Sequence, residues 1–488
     1  MTPWLFLSVI ALYFGLLLAL SSLIARKSTA ADFYKGGNRS PWWAVAFGMI
    51  GTTLSGVTFI SVPGMVSSPA KMTYFAVILG NFFGYILIAF LLLPLYYKLN
   101  LTSIYTYIEK RFGYRAYKTG AWLFLVSKVI GAGFRLFIVA LVLQLTVFEP
   151  LGIPFACNAL LSVAVIWAYT FRGGIKAIIW TDLVQTFFLI FAVLFTIFSI
   201  REALGFSFGE MCSAIVGSPQ SLIFDLNEAW SNPNSFWKQF VAGIFIAIVM
   251  NGLDQDMMQK NLSLKNIREA KKNFLSFSLA FVPVNFIFLC LGVLFFIYMQ
   301  AMGIAVPDKT DSIYPLLATR YLPAAAGIFF MLGVIAAAFS SANSALVAMT
   351  TSFTVDIYGV SGKSEAQQKR IRFCAHSAIA ALLALILLLF NAFHSDSVVR
   401  AIFKFAGYTY GPLLGLFFTG IFLKYRVYDR AVPYIAVLSV LLTVLIDLFS
   451  EQLLAGYRFG FEILLVNGLL TALGLFLFRR PKTASGYR

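Results

Sequence analysis

Apolar residues run along this chain in blocks of about twenty, separated by short segments that collect charges, glycines and prolines. A block of that length crosses a ~30 Å hydrocarbon core as one helix. The pattern predicts thirteen spans, roughly at 3–25, 41–67, 73–97, 119–148, 155–171, 175–199, 236–259, 274–302, 322–352, 372–393, 397–421, 431–449 and 459–478. The expected fold class is an all-α polytopic membrane protein, one transmembrane domain over residues 1–488 with no soluble domain after the last span. The first block has no basic residue ahead of it and Arg26-Lys27 behind it, the wrong order for a secretion signal. It reads as a retained span with its N-terminus outside. Arg201 to Trp237 reads as an outer loop with short interfacial helices.

Most spans are Leu/Ile/Phe runs, and two are not. The second carries Gly48, Gly51, Thr52, Thr53, Ser55, Gly56 and Thr58, which are poor helix formers. Unwound backbone at membrane depth survives only where it is buried or lines a water-filled site. Close helix packing through small residues is the alternative use of such a run. The seventh span is interrupted at Asn251-Gly252-Leu253-Asp254-Gln255. Breaks at corresponding positions of two halves point to a transport site between inverted repeats. Those repeats would be 41–199 and 236–421, with 3–25 an extra N-terminal helix and 431–478 two C-terminal helices.

Composition supports this reading: 60% of the 488 residues are hydrophobic and 12% charged. The net charge of +17 could suggest nucleic acid, but placement decides otherwise. With the N-terminus outside, 27 of the 37 basic residues, Lys260 among them, fall on inner segments. That asymmetry is the positive-inside rule, and no nucleic acid is needed. The four cysteines show no CxxC spacing, and His376 and His394 are too few and too far apart for a zinc centre. No nucleophile with a base and no glycine-rich phosphate loop is present, so no enzyme is expected.

Three features carry chemistry inside the spans. Asp182 stands eight residues past Gly174, about 12 Å along a helix. A carboxylate there needs a partner, and a cation is the obvious one; the alternative is solvation from the cytoplasm. Ser340, Ser341, Asn343 and Ser344 cluster among alanines in the ninth span, where hydroxyls and carbonyls offer hard oxygen ligands suited to sodium. Arg135 lies about 22 Å past Gly120. It either snorkels to the outer interface or faces a cavity and grips a carboxylate. Lys128 lies on a similar face.

These segments together resemble the sodium/solute symporter family. The matching pieces, in family order, are Phe33-Tyr34-Lys35-Gly36-Gly37 with Pro41-Trp42-Trp43; Thr58-Phe59 with Pro63-Gly64; Gly173-Gly174 with Trp180-Thr181-Asp182 and Gln185; Asp254-Gln255 with Gln259-Lys260; Ser340-Ser341 with Asp356-Ile357-Tyr358; and Phe405-Ala406-Gly407 with Gly411-Pro412 and Gly415. The resemblance implies a LeuT-type fold with a 5+5 inverted repeat. It implies a sodium site from the backbone carbonyls of Gly51, Leu54 and Ala337 and the hydroxyls of Ser340 and Ser341. Members often have alanine where Gly51 stands, and since the backbone is the ligand little is expected to change. A second sodium site, found in the sialic acid branch, would use Asp182, Ser340, Asn343 and Ser344, with Asn343 in place of a serine. The solute pocket would include Thr53, Ser55, Thr58, Asn81, Arg135 and Asn251, nearest the carboxylate-binding pattern of that branch, although Asn81 stands where it has glutamine.

The implied activity is sodium-coupled symport of a small polar, carboxylated solute. Its partners are Na+, the solute and the lipid bilayer, and the protein would act as a monomer in the cytoplasmic membrane with its C-terminus inside. Sodium binds first and favours the outward-open state; the solute closes it. The rivals are a proton-coupled carrier relaying through Asp182 or Asp254, and a non-transporting membrane sensor.

Overall fold

The computed structural model describes residues 3–25, 33–34, 36–67, 69–171, 173–227, 230–392, 398–423 and 425–480. Arg26, Lys27, Lys35, Arg172, His394, Lys424, Lys482 and Arg488, used in the topology, histidine and family readings, lie outside them. The described residues are helical throughout, apart from loops and one isolated antiparallel bridge between Val427 and Arg479.

In chain order the main helices are α1 (Pro3–Ala25), α2 (Trp42–Thr53), α3 (Gly56–Val66), α4 (Lys71–Lys98), α5 (Tyr114–Leu151), α6 (Phe155–Thr170), α7 (Gly174–Ala203), α8 (Phe236–Gly252), α9 (Gln255–Leu262), α10 (Ile267–Ala301), α11 (Ala324–Tyr358), α12 (Glu365–Ala392), α13 (Val398–Phe422), α14 (Val432–Leu448) and α15 (Ile463–Leu477). Each expected span corresponds to one of these helices or to one bent pair. Among the described residues nine helices are long and apolar enough to cross a membrane, or up to eleven if each bent pair counts as one. The fifth and thirteenth expected spans are shorter apolar helices, Phe155–Thr170 and Ile463–Leu477. The outer loop carries the helix Phe208–Gly217, whose Ser207 and Glu210 form a reciprocal cap.

The two breaks fall where glycine and hydroxyl residues interrupt the apolar runs. The axis turns by 56° between α2 and α3 and by 62° between α8 and α9. At the first break Leu54 and Ser55 leave helical geometry, with ψ of 36° and 171°. At the second, a π-helical turn over Ile248–Gly252 releases the chain. Asp254 then caps α9, its carboxylate accepting the Asp256 N–H at 2.9 Å. Carbonyls freed there are met by side chains: the Tyr96 hydroxyl donates to Gly252 O at 2.9 Å and that of Tyr105 to Leu253 O at 3.1 Å. At the first break, among the described residues, no hydrogen bond reaches the carbonyls of Gly51 or Leu54.

The packing brings both breaks to one centre. α7 lies against α11 and α2, α4 runs along α8, and α10 runs along α2 and α3. Glycines permit the closest approaches. A Cβ on Gly80 of α4 would overlap Phe240 O, and one on Gly243 of α8 would overlap Val77 O, so the two backbones touch with nothing between them.

Two expectations change here. The seventh span continues to Leu262, so Lys260 is not a loop cation; it is 1% exposed and belongs to the core. Gly51 is not interchangeable with alanine in this chain. A Cβ there would overlap Thr186 Oγ1 and stand 3.1 Å from Thr186 Cβ and 3.2 Å from its Cα. Its missing side chain lets α2 press on α7.

Candidate ion and solute site

The broken second span and the ninth span meet. Thr52 Oγ1 lies 3.2 Å from Ser340 Oγ, and a Cβ on Gly56 would stand 3.7 Å from Ala338 Cβ. All of Gly51, Leu54, Ala337, Ser340 and Ser341 are buried. Ser341 donates its hydroxyl hydrogen back to Ala338 O at 3.0 Å and Ala337 O at 3.3 Å. That leaves the oxygen's lone pairs undirected by any donor. The unpaired carbonyls at the break and the Ser341 hydroxyl are each hard oxygen acceptors, on two segments that meet at Thr52 and Ser340. Their chemistry fits a dehydrated alkali cation.

Asp182, Ser340 and Asn343 also come together, but with a different centre. The Asp182 carboxylate is completely buried. Lys260 Nζ donates to its Oδ2 at 2.6 Å, Thr52 Oγ1 to Oδ2 at 3.0 Å, Ser340 Oγ to Oδ1 at 2.9 Å, and Asn343 Nδ2 to Oδ1 at 3.4 Å. The cation expected beside Asp182 is therefore a lysine of the chain. Ser344 does not join this group; its hydroxyl donates to Asp256.

A cavity lies beside the first break. It is lined by every residue expected in the solute pocket: Thr53, Ser55, Thr58, Asn81, Arg135 and Asn251. Arg135 faces it half-buried, and among the described residues no ion pair forms on its guanidinium. Thr53 Oγ1, Asn81 Oδ1 and Asn251 Oδ1 are buried without hydrogen-bond partners, as are Tyr85 Oη and Asn285 Oδ1 on the same lining. Buried polar atoms are almost always paired, so five orphans around one cavity mark a surface made for a polar guest.

The sequence reading missed what stands beside this cavity. Lys128 Nζ bridges Asp254 at 3.0 Å and Asp256 at 2.9 Å, with both carboxylates buried. Tyr410 donates to Asp254 Oδ2 at 2.8 Å. Lys128 thus holds the cap of α9 to α5. Lys128 and Arg135 were legible as basic residues within an apolar span; the acidic partners of the one and the lack of them on the other were not. Tyr85 and Asn285 carried no signal beyond being polar in a membrane helix.

The model for the sodium:solute symporter family matches residues 33–431. The sodium/sialic acid symporter NanT of Aliivibrio fischeri is 27% identical, covering 84% of this chain and 82% of that protein. The sodium/sialic acid symporter SiaT of Proteus mirabilis is 27% identical, covering 82% and 80%. The human sodium/iodide cotransporter is 24% identical over 81% of this chain and 61% of its own. Among solved structures, a sodium-coupled sialic acid symporter in a substrate-bound outward-open state superposes with a TM-score of 0.82 at 22% identity, covering 97% of each chain. The nucleobase-cation-symport-1 transporter Mhp1, in a closed conformation, gives 0.59 at 14% identity, covering 91% and 93%.

Proposed function

The chain belongs to the sodium:solute symporter family, and on that premise we propose that it imports a small carboxylated solute through the cavity beside Arg135. It is a multi-pass membrane transporter of the LeuT-type fold, not an enzyme, and sodium is its co-transported ion. The observation that carries the solute class is the Arg135 guanidinium, which among the described residues forms no ion pair, on a cavity that also carries five neutral orphaned polar atoms, while the other two charges on the lining, Lys128 and Asp254, are paired with each other. A guanidinium holds a carboxylate through two parallel hydrogen bonds. The amide and hydroxyl groups opposite suit the hydroxyls of an acidic sugar, and sialic acid is the first solute to test.

Sodium sits on the carbonyls of Gly51, Leu54 and Ala337 and the hydroxyls of Ser340 and Ser341. It ties α2 and α3 to α11, and so prepares the pocket wall formed by Thr53, Ser55 and Thr58. Coupling follows because sodium favours the state with that wall formed. The five-span repeats, 41–199 and 236–421, rock about this centre. The pairings support them: α4 along α8 answers to α10 along α2 and α3, and α5 with α13 answers to α11 with α7. The protein works as a monomer with thirteen crossings in the cytoplasmic membrane, N-terminus outside and C-terminus inside. Both carboxylates considered as proton relays, Asp182 and Asp254, are paired with lysines, which favours sodium over protons.

Purified protein in sealed proteoliposomes tests this with radiolabelled N-acetylneuraminic acid. An inward sodium gradient should drive accumulation and an equal potassium gradient should not. Accumulation driven by a pH gradient without sodium would overturn the coupling. Uptake of other acids but not this one would correct the solute alone.

A further inference from the structure

We propose that the ammonium of Lys260 permanently fills the second cation position, so that this chain binds and carries one sodium ion per cycle. The inference rests on the sodium-symport reading and deepens it. An oxygen cage for sodium needs lone pairs aimed at the ion. Beside Asp182 stands the Lys260 ammonium, which has hydrogens only and no lone pair to offer a cation. Lys260 and Thr52 donate to one carboxylate oxygen, and Ser340 and Asn343 to the other. An ionised carboxylate offers about four acceptor positions, and Lys260, Ser340 and Asn343 take three of them, with the Thr52 hydrogen shared between the carboxylate and Gly48 O at 3.1 Å.

Asn343 Nδ2 lies 3.4 Å from both Asp182 Oδ1 and Gln185 Oε1. As placed, the amide presents a donor where a sodium ligand would present an oxygen, and its own Oδ1 is buried without a partner. Ser344, the remaining expected ligand, turns its hydroxyl hydrogen to Asp256, away from Asp182. Lys260 itself is 1% exposed. It stands on α9, the inner half of the broken seventh span, and also donates to Thr52 of the broken second span. A sodium ion in the same place would have to stand directly against the Lys260 ammonium, which lies 2.6 Å from the Asp182 carboxylate. Removing either partner of a buried pair is strongly unfavourable, so the lysine stays and the second ion is excluded.

The consequence concerns charge balance. One sodium with one monocarboxylate moves no net charge per cycle, and the membrane potential adds nothing to accumulation. Two sodiums would move one net charge, worth about fiftyfold at 100 mV.

Equilibrium binding of radioactive sodium to the purified full-length protein tests the inference without any solute. At saturation the wild type should hold one ion per chain, Lys260→Arg one, and Lys260→Gln two, because glutamine leaves the carboxylate short of a cation. Two ions on the wild type would overturn the inference, whether or not any variant folds. A folded Lys260→Gln that stays at one ion would overturn the role given to Lys260. No ion on the wild type would overturn the sodium site itself, a different result from two.

Discussion

Replacing Gly51 with alanine adds a single methyl group to the carbonyl-bearing end of α2. That methyl would overlap Thr186 Oγ1 and stand 3.1 Å from Thr186 Cβ and 3.2 Å from the α-carbon of the same residue. Turning Thr186 so that its hydrogen faces the methyl relieves only the first clash. It also breaks the bond from Thr186 Oγ1 to Asp182 O, 2.7 Å long. The α-carbon belongs to the backbone and no side-chain rotation moves it away, so α2 and α7 must part by a few tenths of an ångström. Overpacking of this kind costs about 1–3 kcal/mol. If the strain falls on the sodium-bound arrangement, half-saturation by sodium rises about 5- to 150-fold. The assay is a sodium titration of thermal stability for wild type, Gly51→Ala, Thr186→Ala and the double variant. Thr186→Ala alone loses one hydrogen bond, worth about 0.5–1.5 kcal/mol. The double variant should recover only part of the loss in sodium affinity, because alanine at 186 removes the clash with Oγ1 and keeps those with Cβ and Cα. A Gly51→Ala protein with wild-type stability and sodium response would refute the reasoning.

Further variants probe the pocket and its support. Arg135→Ala should reduce uptake of an acidic solute at least a hundredfold, with Arg135→Lys intermediate because a lysine makes no two-pronged contact; unchanged uptake would remove Arg135 from the pocket. Lys128→Met leaves Asp254 and Asp256 facing each other without their shared cation. It should cost about 3–5 kcal/mol of stability, read as a large fall in melting temperature, and Asp254→Asn should restore part of it. Gly80→Leu should prevent α4 and α8 from closing on each other, seen as loss of monodisperse protein on size exclusion, whereas Gly131→Leu, where a Cβ meets nothing within 4 Å, should not.

The spans and both breaks were legible because apolar block length and the clustering of glycine with hydroxyl residues are local signals. The helices often outrun the apolar blocks, as α12 does by starting at Glu365 rather than near Arg372. Backbone hydrogen bonding carries a helix on past the membrane edge into polar sequence. Lys260 was misread for the opposite reason. Charge alone places a lysine in a loop, and only the 62° turn at Asp254 brings it under α7. The ion pairs join residues 78 and 126 positions apart, which no periodicity reveals. The pocket residues were found through resemblance to a family, and the geometry then gathered all six around one cavity. Thr186, which crowds any side chain at position 51, carried no mark of its own in the sequence.

The central claim is that the first break and the hydroxyl patch on α11 hold one sodium ion between them. Ser341→Ala removes one of its oxygens without changing the helix, since alanine is the better helix former. The measurement is the rise in melting temperature when sodium replaces potassium at equal ionic strength, in wild type and in Ser341→Ala. A ligand that binds only the folded state at ten times its dissociation constant stabilises it by about 1.4 kcal/mol. The account predicts a clear sodium-specific rise in the wild type and little or none in the variant at the same concentration. An equal rise in both would contradict it.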